Sequence, residues 1–342
     1  VSNEVQEALN EIENASDVKT CSLPAIRGWC STGCTILDLA ITGSIPGGLP
    51  VGRIIHIYGG EATAKTLLGV VALGYCQRNG ESIYYDDVEH TLNPVYAKRY
   101  GLDMEKDTFN LFHSNSIEDL FDVNLASVLQ RKKKKPAIYV VDSLTALPTE
   151  VEKSAGMKDG TYGTSRAKQI GLGLRKYNYA LASTGTTLFC IDQTRDDIGG
   201  GLVHREVVPG GRALPFYSSV QIYLKNTIKI LNKRDKIVGR WVKFRIDKNK
   251  VGPPMREGIM RILFEYGLDD ISTNLFFLSE FQNGIEKAKN KTTTIEFNGD
   301  KKKMSTWIKY IEDGNLEMKL REEVAKVWVE VYKTEDRKPR VW

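Results

Sequence analysis

Long apolar runs are missing from this chain: no stretch approaches the roughly 18 uninterrupted apolar residues that a membrane-spanning helix requires. No membrane partner is therefore expected. Cysteine is scarce, at five in 342 residues. Cys30 and Cys34 stand close together, but no second Cys or His pair follows at zinc-binding spacing. That argues against a zinc-stapled module, and Cys190, inside an apolar stretch, reads as core. So few thiols in so long a chain fit a reducing compartment. The opening residues are polar and lack a leader peptide's basic-then-apolar order, so a cytoplasmic location is expected. Internal repeats are also absent. Neither sign of charge dominates: the net charge is +5 at pH 7 and the pI is near 8.7. That balance permits a polyanionic partner without requiring one.

With 41% hydrophobic residues, the chain can bury one large α/β domain and a smaller appendage. Arg53–Tyr58, Ser82–Asp86, Ala137–Val141 and Thr186–Ile191 read as buried strands separated by helix-length segments. Continuous apolar strands alternating with helices imply a mostly parallel sheet covered on both faces. Val220–Leu224, Trp241–Ile246 and Arg261–Phe264 follow closely and read as antiparallel extensions of that sheet. Val5, Leu9 and Ile12 share one face of a short helix ahead of the main domain. Asn274–Phe281, Ser305–Ile311 and Leu316–Tyr332 read as helices, with a hairpin from Thr292 to Met304 between them. The expected division is an N-terminal arm at 1–26, an α/β core at 27–269 and a small α+β domain at 270–342.

The chemistry is concentrated in Gly59-Gly60-Glu61-Ala62-Thr63-Ala64-Lys65-Thr66, between a buried strand and an apolar helix. A glycine turn there aims backbone N–H groups and the helix dipole at one anionic point. This is the layout of a nucleotide-phosphate cradle. Lys65 is placed to neutralise the β- and γ-phosphates, and Thr66 to offer its hydroxyl to Mg2+. The pattern asks for glycine before the lysine. Ala64 stands there instead, and its methyl group either crowds the phosphates or forces an uncomfortable backbone.

Asp142 ends the strand that starts at Ala137, where a carboxylate can hold Mg2+ through water or cap a following helix. Ser143 follows it, so the water-activating base must come from elsewhere. Glu89, just past the second strand, is the candidate, with Asp86 and Asp87 weaker. Gln193 ends the fourth strand, where its amide can sense a γ-phosphate. Two glycine-bearing segments leave the same sheet edge, Ser154–Gly163 and Arg195–Gly211. Their candidate polynucleotide contacts are Lys158, Gly160 and Arg166 in one region. In the other they are Arg195, Gly199, Gly200, Gly210, Gly211 and Arg212. Long loops in compact domains tend to be functional, and basic glycine loops beside a nucleotide site suggest a single-stranded path. Plain surface loops are the other reading. Lys248-Asn249-Lys250 is by itself a charged turn, and Arg131–Lys135 a solvated one.

Together these residues resemble the RecA family of recombinases, between about residues 27 and 270. Leu49–Gly59 resembles the family's approach to the phosphate loop, Asp86–Ala97 its segment bearing the catalytic glutamate, and Val140–Ser143 its magnesium strand. Ile191–Arg195 resembles the strand ending in the phosphate-sensing glutamine, although Asp192 replaces a usual Asn. The resemblance implies a RecA-like ATPase fold with ATP and Mg2+ as cofactors. It makes Glu89 the general base and Tyr96 an adenine stack. Asn93 stands where an Asp usually meets the adenine amino group. The glycine segments fall where the family binds DNA, and Gly210–Tyr217 resembles the end of the second. Lys248 and Lys250 match lysines that reach a neighbouring subunit's ATP. The implied partners are single-stranded DNA, double-stranded DNA and further copies of the chain in a helical filament.

The loop Gly43–Gly48, the spacing from Arg166 to Arg175 and a tail without an acidic extension look closer to phage recombinases of the UvsX kind. The implied function is ATP-dependent pairing and exchange of DNA strands. A weakly hydrolysing mediator paralogue and a hexameric helicase are the alternatives.

Overall fold

The chain's architecture comes from a computed structural model that describes residues 26–131, 135–155, 163–196, 206–207, 211–284 and 293–333. The expected helix on Val5, Leu9 and Ile12 lies outside the described residues. So do Lys158, Gly160, Gly199, Gly200 and Gly210.

Among the described residues, the main sheet contains β1 (Ile54–Gly59), β2 (Ser82–Asp87), β3 (Phe109–Phe112), β4 (Ala137–Asp142) and β5 (Thr186–Gln193). It continues with β6 (Val220–Leu231), β7 (Ile237–Asn249), β8 (Glu257–Leu263) and β9 (Gly267–Leu268). Their order is β9-β8-β7-β6-β1-β5-β4-β2-β3. Every pairing from β6 across to β3 is parallel. Those from β6 to β9 are antiparallel. The expected parallel sheet with antiparallel extensions is therefore present.

Alternation along the strands sorts the core into two layers. The helices used below are α1 (Thr35–Thr42), α2 (Lys65–Arg78), α3 (Pro94–Arg99) and α4 (Gly163–Thr184). Ile55, Ile57, Val140, Phe189 and Ile191 cluster with Leu67, Leu68 and Leu73 of α2. Ile54, Tyr139, Val141, Leu188 and Cys190 cluster with Ile170, Leu174 and Leu181 of α4. A helix on each face leaves the carboxyl ends of the central strands clear. Ligands of open α/β sheets bind at that edge.

After the sheet come α5 (Ala213–Tyr217), α6 (Asp270–Asn283), α7 (Met304–Gly314) and α8 (Glu317–Val331), with a hairpin of Thr294–Phe297 and Asp300–Lys303 before α7. Ile295, Phe297, Trp307, Ile311, Leu320, Val324 and Trp328 are buried in the same apolar cluster as α1 and α2. The core is thus continuous across residues 269 and 270. Cys30, Cys34, Cys76 and Cys190 are buried and free. Among the described residues no His, Cys, Asp and Glu side chains gather as a metal site. None of their helices is long and apolar enough to cross a membrane.

Asp38 on α1 locks the entry to the domain. Its carboxylate oxygens take Ser31 Oγ at 2.5 Å, Thr32 N at 2.9 Å and Thr32 Oγ1 at 2.7 Å. Burial pushes the carboxyl up to about 7, against the pull of those donors. A raised folded-state pKa means that the folded chain holds the extra proton. This group's stabilisation is therefore full below about pH 4 and is lost as pH rises towards 7, at up to about 1.4 kcal/mol per pH unit. We predict that Asp38→Asn, which keeps the shape and an acceptor oxygen for Thr32 but cannot titrate, flattens that part of the Tm-against-pH curve. A variant curve parallel to wild type between pH 4 and 7 would assign the slope to other groups.

Candidate functional site

β1 ends at Gly59, where a Cβ would lie 2.1 Å from the Leu224 carbonyl oxygen on β6. Only glycine lets the chain leave the sheet so close to its neighbour. The turn then places two alanines in left-handed backbone, Ala62 at φ 53° and Ala64 at φ 69°. Ala64 is the N-cap of α2. Of the two outcomes expected for its methyl group, the structure shows the strained backbone. A Cβ in that region costs roughly 1–2 kcal/mol, and glycine's greater freedom in the unfolded chain offsets part of the relief. Ala64→Gly is expected to raise stability by about 0.5–1 kcal/mol. Thermal unfolding reads the gain, and a lower Tm would show that the methyl group packs favourably. Above Gly60 the space is open, with nothing within 4 Å of a built Cβ.

The groups expected to act on phosphate meet around one cavity of about 270 Å³, lined by Glu61, Ala62, Lys65, Thr66, Glu89, Asp142, Ser143, Ile191 and Gln193. The polar groups expected to do chemistry there already hold internal partners. Lys65 Nζ donates to Gly59 O at 3.0 Å and Gly60 O at 2.7 Å. Burial lowers its pKa, and the Asp142 and Glu89 carboxylates oppose that. Thr63 Oγ1 closes the turn onto Gly60 O at 2.9 Å. Thr66 Oγ1 donates to Asp142 Oδ2 at 2.5 Å, and Tyr85 OH to the same oxygen at 2.9 Å. Burial pushes the Asp142 carboxyl up, while those two donors pull it down. Ser143 Oγ donates to Glu89 Oε1 at 2.7 Å, and Gln193 Nε2 to Glu61 Oε1 at 3.1 Å.

The weaker acid candidates have other work. Asp86 is fully buried and takes Ser114 N, Ser114 Oγ and Tyr139 OH. Asp87 takes the Thr91 and Leu92 N–H groups and so shapes the loop that carries Glu89. Val88 N and Glu89 N both reach Asp142 O, at 3.0 and 3.3 Å, which ties that loop to the end of β4. The sequence gives no sign of what Tyr85 and Ser143 do here. Tyr85 looks like any strand tyrosine, and Ser143 stands out only for not being an acid.

Asn93 is the N-cap of α3, its Oδ1 taking Val95 N at 2.9 Å and Tyr96 N at 3.3 Å. Its oxygen is thereby occupied by the start of the helix. Tyr96 is 42% exposed, stacked on Tyr100 at 6.1 Å, with Arg99 5.4 Å from its ring centre. Tyr100 OH also donates to Phe264 O, and the exposed ring of Tyr266 lies on that same turn. An aromatic at a turn carries no sequence signal of its own.

The cations divide into engaged and exposed. Lys248 Nζ donates to Pro215 O at 2.6 Å and Phe216 O at 2.8 Å, clamping α5 just after the second glycine segment. Burial, and then Lys250, lower its pKa. Lys250 is exposed. Arg166 is bonded to Glu152 at 3.1 and 3.2 Å and to Thr145 O at 3.2 Å, so it braces the first segment from inside. Arg195, Gly211 and Arg212 are exposed. Arg195–Asp196 pairs antiparallel with Glu206–Val207, a short ladder at the base of the second segment.

Comparison with known proteins gives one direction. The RecA N-terminal domain family matches residues 13–269. Protein RecA of Thermus thermophilus is 35% identical over 257 residues, covering 75% of this chain and 73% of that protein. Protein RecA of Rubrobacter xylanophilus is 36% identical over 238 residues, covering 70% and 66%. Protein RecA of Acinetobacter baylyi is 33% identical over 290 residues, covering 83% and 80%. The crystal structure of the RadB recombinase shares the fold, with a TM-score of 0.51 at 20% identity over 70% of this chain and 99% of that one. The expected α/β class, with its large and mostly parallel sheet, stands, and the chain belongs to the RecA family.

Proposed function

We propose that the protein is an ATP-dependent DNA recombinase that assembles on single-stranded DNA, pairs it with a homologous duplex and exchanges strands. The observation that carries this is the gathering of Lys65, Thr66, Asp142, Glu89 and Gln193 around one cavity, with two glycine segments leaving the same sheet edge after β4 and β5. Lys65 and the N–H groups of the phosphate loop bind the β- and γ-phosphates. Thr66 and Asp142 are hard oxygen donors 2.5 Å apart. They fit Mg2+, which takes few protein ligands, and the ion would supply charge neutralisation at the phosphates. Glu89 orients and deprotonates the attacking water. Gln193 leaves Glu61 to bond the γ-phosphate or that water. Tyr96 and Asn93 receive the adenine.

Lys250 reaches the ATP of the next copy and adds charge there, as an arginine finger does. Arg195, Gly211 and Arg212 hold the DNA backbone, together with Lys158, Gly160, Gly199, Gly200 and Gly210. The bases are read by pairing, so binding should weaken steeply with salt. Ala64, the loop Gly43–Gly48 and the Arg166-to-Arg175 spacing favour a phage-type recombinase.

Electron micrographs with single-stranded DNA and a non-hydrolysable ATP analogue test the reading. Helical filaments are expected, lost in Lys65→Ala. Closed rings would point to a helicase, and dispersed particles to a mediator.

A further inference from the structure

His56 on β1 and Asp192 on β5 are both fully buried, with Nε2 and Oδ2 3.1 Å apart. They lie on the α4 side of the sheet, in line with Ile54 and with Leu188 and Cys190. A buried polar pair is rarely the most stable filling of such a place, since apolar residues of like volume do as well or better. Its position suggests another use. Asp192 directly precedes Gln193, and both its oxygens are engaged: Oδ2 with His56, and Oδ1 accepting Thr145 N at 2.9 Å. Thr145 lies in the turn after β4. Its carbonyl accepts Arg166 Nη1 at 3.2 Å, and Arg166 Nη2 grips Glu152. Glu152 and Arg166 stand on the two flanks of the first glycine segment, in the helices Glu150–Ser154 and α4. His56 is itself fixed from above by Tyr58, stacked at 4.8 Å. From the side, Gln221 Nε2 lies 3.5 Å from Nδ1.

We propose that His56 and Asp192 are positioning residues that couple the aim of Gln193 to the base of the first glycine segment, through Thr145 and the Arg166–Glu152 pair. When Gln193 turns towards a γ-phosphate, Asp192 is carried with the strand end. The Thr145 turn follows, because its N–H is bonded to Asp192 and His56 prevents the carboxylate from swinging free. Neither residue lines the cavity, so neither touches nucleotide. The pair transmits and does no chemistry. The proposal rests on the recombinase reading.

The test compares phosphate release with and without single-stranded DNA in wild type, His56→Phe and His56→Gln. The phenylalanine keeps the ring and its stacking but has no N–H, whereas the glutamine keeps a donor towards Asp192. In His56→Phe the DNA-free rate and the half-saturating ATP concentration should stay within about 2-fold, while stimulation by DNA falls about 5- to 30-fold. His56→Gln should recover most of the stimulation. Glu152→Gln is a milder break further along the same chain and should lower stimulation in the same direction without changing the DNA-free rate. It decides the matter if His56→Phe does not fold. Full stimulation in the variant that is read, or equal loss of both rates, overturns the coupling. A wild-type rate indifferent to DNA would overturn the recombinase reading itself, and the coupling with it.

Discussion

Glu89→Gln is expected to lower DNA-stimulated phosphate release by about 10²- to 10⁴-fold, equivalent to roughly 3–5 kcal/mol on the barrier. The substitution removes a base and little else. The amide oxygen of glutamine can still accept from Ser143 Oγ, which lies 2.7 Å from Glu89 Oε1. The loop remains tied through Val88 N and Glu89 N to Asp142 O. Nucleotide binding should therefore persist, and a fluorescent ATP analogue titrated alongside the phosphate assay separates the two effects. A variant within about 3-fold of wild type would move the base elsewhere, since general bases contribute at least about 100-fold. Asp86 is a poor substitute, because it is fully buried and bonded to Ser114 and Tyr139.

Trp307→Ala should cost about 3–5 kcal/mol of stability. Trp307 is completely buried. Its Nε1 donates to Ile295 O at 2.7 Å, and Phe297 meets it edge-on at 5.2 Å. Truncation leaves a cavity and removes that hydrogen bond to the hairpin before α7. Trp328 offers a contrast, because its buried Nε1 has no hydrogen-bond partner among the described residues. Trp307→Phe should therefore cost more than Trp328→Phe, by about 0.5–1.5 kcal/mol for the lost hydrogen bond. Denaturant melts measure both. Because the core is continuous across residues 269 and 270, we expect one cooperative transition. A separate early transition in Trp307→Ala would mark residues 270–342 as an independent unit.

The central sheet was readable because β1, β2, β4 and β5 are largely buried on two faces and therefore run mostly apolar. β3, Phe109–Phe112, was missed. It is a four-residue edge strand, partly exposed along its length. β6 and β7 were expected to be five or six residues long and are 12 and 13. Beyond Leu224 they carry Lys225, Lys229 and the turn Lys233–Lys236 into solvent, and the apolar Ile228, Leu231 and Ile237 there are exposed among those charges. The phosphate loop, Asp142, Glu89 and Gln193 could be placed from sequence because each ends or follows a buried strand. What those side chains hold could not. The Lys248 clamp on α5 and the Arg166–Glu152 pair join residues 33 and 14 positions apart. Only the folded chain shows which cations are already spoken for.

On the proposed function, the cavity's internal bonds give a way to tell fresh from spent nucleotide. A diphosphate can compete for Lys65 and Thr66, yet it offers nothing beyond its β-phosphate to draw Gln193 from Glu61 or Glu89 from Ser143. In the proposed recombinase, product would therefore lodge with Glu89 still held by Ser143, so that a spent site stays quiet until it is refilled.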